Sequence, residues 1–72
     1  MSERATIYVA LLDEAVDVWR PVEAEAQGGD RYKIVGVQPA GERWAFPAGA
    51  EVVCVQKRLE NGLVWVADGW AK

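Results

Sequence analysis

Histidine is missing from this 72-residue chain, cysteine and methionine occur once each, and serine and threonine are confined to Ser2 and Thr6. A hydroxyl or thiol nucleophile paired with a base that titrates near neutrality therefore cannot be assembled as a triad of the usual kind. One cysteine cannot close an intramolecular disulfide, and small secreted domains usually carry several, so a reducing, cytoplasmic setting is the expectation. A metal site built from cysteine and histidine is excluded, which leaves only oxygen ligands. The apolar run Ile7 to Leu12 is too short for a signal sequence or a membrane span. Basic residues are outnumbered 8 to 11 by acidic ones and are scattered, so a phosphate-binding surface for nucleic acid is not expected. No cofactor motif is present: Gly28 and Gly29 lack the following helix and lysine of a phosphate loop.

What the chain does have is apolar alternation and four tryptophans. At 51% hydrophobic residues it should fold, as one small domain whose core must be filled efficiently. Ala5 to Leu12 reads as a strand with Ile7, Val9 and Leu11 on one face and Tyr8, Ala10 and Leu12 on the other. From Val16, strict alternation puts Val18, Val22, Ala24 and Ala26 on a core face, against Asp17, Trp19, Glu23 and Glu25. Pro21 cannot donate to a ladder and so marks either an edge or a bulge.

Gly28, Gly29 and Asp30 predict a turn, followed by a strand from Arg31 to Val37 and a loop at Gln38 to Glu42. A short strand with Trp44 and Phe46 on one face is expected over Arg43 to Phe46. Glu51 to Leu59 follows, with Val52 and Cys54 on one face and Val53 and Val55 on the other. Asn61 and Gly62 then join it to Leu63 to Asp68 as a hairpin, while Gly69 to Lys72 is expected to fray. Five or six short strands without a helix predict an all-β, SH3-like barrel. An OB-like barrel is the alternative, although that fold usually has a longer chain and a helix.

The blocks LLDEAVDVWRPVEAE (11 to 25), RYKIVG (31 to 36), RWAFPAGAEVVC (43 to 54) and LVWVA (63 to 67) cover most of the chain. On these blocks the chain resembles a family of small, uncharacterised bacterial proteins with an LLDExVDVWRPVEA-type motif. The resemblance implies a β-rich bacterial domain and carries over no catalytic or binding residues.

Several residues invite a chemical reading. Asp13, Glu14 and Asp17 are close enough in sequence to hold a hard cation. They lack the glycine and ligand order of a calcium loop, so they read as a solvated acidic corner with Arg20 as counter-charge. Glu23 and Glu25 share a face but have nothing around them in sequence to raise one pKa by burial, so they read as a solubilising pair. Cys54, among valines, reads as packing with a raised pKa.

Trp19 falls on the polar side of its strand and is expected to be partly exposed, unless the bend at Pro21 turns it inward or a second copy covers it. The candidate binding surface is therefore Asp13, Glu14, Asp17, Trp19, Arg20 and Tyr32. The expected function is a non-catalytic interaction or structural module that forms a homodimer through Trp19 and an edge strand. One alternative is a module that binds a basic or proline-rich peptide through the acidic corner, Trp19 and Tyr32. Another is an enzyme whose site forms only in an oligomer.

Overall fold

The computed structural model describes residues 3–12, 18–60 and 62–71. These form five strands: β1 (Arg4–Ala10), β2 (Trp19–Gly28), β3 (Arg31–Ile34), β4 (Glu51–Leu59) and β5 (Gly62–Trp70). Successive strands pair antiparallel, and β5 returns to β1 in parallel at Tyr8 and Val66, which closes the sheet into a barrel. The protein is all-β, a small barrel of the SH3-like or OB-like kind. No helix among the described residues is long and apolar enough to cross a membrane.

Period-two alternation builds the core. Ile7 and Val9 from β1, Val22 and Ala24 from β2 and Ile34 from β3 point inward and are buried. Val52 and Cys54 of β4 and Ala67 of β5 complete the ring, and Trp44 closes it from the long connection between β3 and β4. Each fully buried aliphatic side chain contributes roughly 1.5 to 3 kcal/mol relative to an exposed one, which a domain of this size requires.

Pro21 pairs with Tyr8 of β1, and β2 meets β3 only from Ala24 onward, so Pro21 occupies the half of β2 that has one strand neighbour. The edge reading of Pro21 holds. The register irregularities lie elsewhere, between Ala26 and Gly28 and between Val53 and Cys54. Gly28 and Gly29 supply the positive φ of the turn before β3, at 113° and 60°. Gly62 does the same after β4, at 110°; its turn partner Asn61 lies outside the described residues.

Four expected boundaries are corrected. β1 ends at Ala10, and Leu11 instead makes an isolated bridge to Trp44. That bridge is all that forms of the strand expected at Arg43 to Phe46, flanked by Ala45 N–H to Ala10 O at 2.8 Å. β3 stops at Ile34 rather than Val37, because the Val35 and Gly36 N–H groups both turn to the Glu23 carbonyl, at 3.0 and 3.1 Å. Gly36 permits this approach, since a Cβ there would lie 3.3 Å from the Glu23 nitrogen. Lastly, Gly69 and Trp70 belong to β5 instead of fraying. Ala71 N–H donates to Glu51 O at 2.9 Å, and the Trp70 ring meets Phe46 edge-on at 5.1 Å.

Candidate functional site

Trp19 begins β2 opposite Ala10, on the outer face with Glu23 and away from buried Val22, as its parity requires. It is half-buried, because Lys57 of β4 lays its Nζ 4.9 Å from the ring centroid. The strands between them explain the contact. Tyr8 and Val55 are the register partners of Val66 and share its outward face. Val66 is only 2% exposed yet stands outside the core cluster, whereas its neighbour Ala67 lies within it. Two consecutive buried residues on one strand mean that the sheet is covered on both faces there. Tyr8 and Val55 flank Val66 on that outer face, on which Trp19 and Lys57 also lie.

Arg20, one residue on, faces the opposite side at the barrel mouth. Its Nη2 donates to Glu42 Oε2 at 2.8 Å and its Nε to Oε1 at 3.2 Å. Glu42 Oε1 also accepts the indole N–H of buried Trp44 at 2.9 Å. These donors hold the Glu42 carboxyl below the usual carboxylate range: the Trp44 bond is the largest cause, partial desolvation opposes it, and Arg20 adds to it. Gln38 ties down the same loop by donating to the Glu42 backbone carbonyl at 2.8 Å.

Tyr32 points inward from β3, and its ring centroid lies 6.4 Å from that of Trp65 on β5. β3 pairs with β4 only over Glu51 to Val53. The β4–β5 hairpin therefore continues past the end of β3, carrying Leu63 (58% exposed), Trp65 (36%) and Val55 (40%) into solvent. Cys54 N–H faces away from β5 and donates to Asp30 O at 2.8 Å. Beyond it, the outer edge of β4 has no backbone partner among the described residues.

Comparison with known proteins gives one result. No protein-family model, curated protein or solved structure matches this chain.

Of the expected surface, Asp13, Glu14 and Asp17 lie outside the described residues. Trp19, Arg20 and Tyr32 are each described, but they enter three separate contacts, with Lys57, Glu42 and Trp65 respectively. Among the described residues, the carboxylate that pairs with Arg20 is Glu42.

Glu23 and Glu25 share Arg4, whose guanidinium lies 2.8 Å from one and 3.9 Å from the other in an open, shallow depression. Cys54 is buried, and its thiol pKa is pushed up to about 11, by burial first and by the Asp30 charge second. Among the described residues, no three Asp, Glu or Cys side chains converge to hold a metal ion. The exposed pair Leu63 and Trp65 escaped sequence reasoning because alternation marks a strand without showing which part of it outruns its neighbours.

Proposed function

We propose that this chain is a non-catalytic, SH3-like interaction module whose docking element is the projecting β4–β5 hairpin, with self-association among its modes. The observation that carries the reading is the coincidence of exposed Leu63 and Trp65 with a stretch of β4 that lacks a neighbouring strand. Large apolar side chains grouped on a protruding element favour protein contact, and a free strand edge adds directional backbone bonding. Trp19 is a poorer docking residue, because Lys57 already occupies its ring. The resemblance to small uncharacterised bacterial proteins is compatible with this reading and adds no activity.

Light scattering over a range of protein concentrations tests self-association. The expected result is a mass that rises with concentration in the native chain and falls back in Leu63→Ala/Trp65→Ala. A strict monomer throughout removes self-association. The module reading itself is withdrawn if, in addition, no partner or peptide binds in a manner sensitive to Trp65.

A further inference from the structure

The free part of β4 has a defined bonding pattern. Cys54 turns its N–H outward to Asp30 O at 2.8 Å, and a strand presents alternate residues to the same edge, so Gln56 and Arg58 direct their backbone N–H and C=O groups outward as well. An added strand in this position would continue the line of β3 beyond the turn at Gly28 to Asp30. Trp65 marks the same lane. Its ring comes within 6.4 Å of Tyr32 on β3, although β4 lies between their strands, so it leans across the inner face of β4 beside Gln56, toward the β3 side.

Charge selects the occupant. Lys57 and Arg58 are consecutive, so they put positive charge on both faces of the edge. Neither has a carboxylate partner among the described residues; Lys57 rests on Trp19, and Asp30 and Glu60 flank the free stretch only at its two ends. A second copy fits poorly as the added strand, so self-association rests on the exposed Leu63 and Trp65 and not on this edge. In the antiparallel register centred on Lys57, which uses the whole edge, the two Lys57 side chains face one another, and like charges directly opposite are destabilising.

We infer that the β4 edge at Gln56 and Arg58 accepts, as an added strand, an extended segment of another protein in which acidic and apolar residues alternate. Main-chain bonds to Gln56 and Arg58 give it direction, acidic side chains on one face meet Lys57, and apolar ones on the other meet Trp65 and the stem of Arg58. This rests on the reading of the hairpin as a docking element and names its partner class.

The test is an NMR titration of the full chain with two eight-residue amidated peptides, one alternating valine with glutamate and the other valine with lysine. The expected result is that the glutamate peptide shifts the Gln56 and Arg58 amides and binds at least tenfold more tightly than the lysine peptide. Lys57→Glu/Arg58→Glu should reverse that preference. Gln56→Pro should weaken binding at least tenfold with core amides unchanged, because the lost N–H does not face β5. Equal binding of the two peptides, or no shift at Gln56 and Arg58 at millimolar peptide, overturns the inference. Binding that survives Gln56→Pro but is lost in Trp65→Ala overturns strand addition and leaves the module reading in place. Should Gln56→Pro fail to fold, the charge reversal decides alone.

Discussion

The ammonium of Lys57 rests 4.9 Å from the centre of the Trp19 ring, which ties β4 to the start of β2 across the line where β1 and β5 meet. That line has a single register pair, Tyr8 with Val66, so a contact that spans it adds to few others. Trp19→Ala is expected to destabilise the fold by about 2 to 3 kcal/mol, because it removes a half-buried indole together with its contact to Lys57. Lys57→Met keeps the stem and loses the cation, so it should cost about 0.5 to 1 kcal/mol. Urea unfolding of both variants checks the order.

Cys54 gives a prediction at alkaline pH. Its folded pKa, about 11, lies above that of an unfolded thiol. The stabilisation is therefore complete below the unfolded value and is lost as pH rises through the folded one. A shift of that size corresponds to about 2 to 3 kcal/mol. Between pH 8.5 and 11 the native chain should lose more thermal stability than Cys54→Val, which has no thiol to ionise. At neutral pH, a thiol reagent should label native Cys54 far more slowly than the unfolded chain.

Glu42 has the opposite sign. Its folded pKa is lowered, so its contribution is present above the ordinary carboxylate range and disappears as pH falls through the folded value. Acid should thus loosen the loop around Trp44, which can be followed by tryptophan fluorescence. Glu42→Gln keeps an acceptor for the Trp44 indole, whereas Glu42→Ala leaves that buried N–H unpaired, so the alanine variant should be the less stable at pH 7.

The hairpin and the core should respond differently to truncation. Leu63→Ala is expected to leave stability within about 0.5 kcal/mol, since the side chain is mostly in water. Ile34→Ala removes a fully buried side chain and should cost about 3 kcal/mol or more, a large share of the stability of so small a domain. Chemical denaturation of the two variants side by side gives the comparison.

Alternation made most of the barrel legible. β4 has the bounds expected from valine spacing, with Val52 and Cys54 inward and Val53 and Val55 outward. Asn61 and Gly62 correctly located the hairpin, and Pro21 the single-neighbour half of β2. Features set by distant partners could not be read the same way. β3 ends early because the Glu23 carbonyl captures two amides, and Trp70 is retained by Phe46. Arg20 meets Glu42 across 22 residues of chain. The docking edge is hidden for the same reason, since it exists only through the mismatch between a four-residue β3 and a nine-residue β4.

The parallel meeting of β1 and β5 also governs how the molecule comes into being. On the ribosome, β1 can zip with β2 as soon as both have emerged, but its other flank must wait for the last strand to be made. Loop closure over nearly the whole chain then becomes the final entropic hurdle, which favours slow folding and leaves the newborn β1 flank open to mispairing until Val66 arrives.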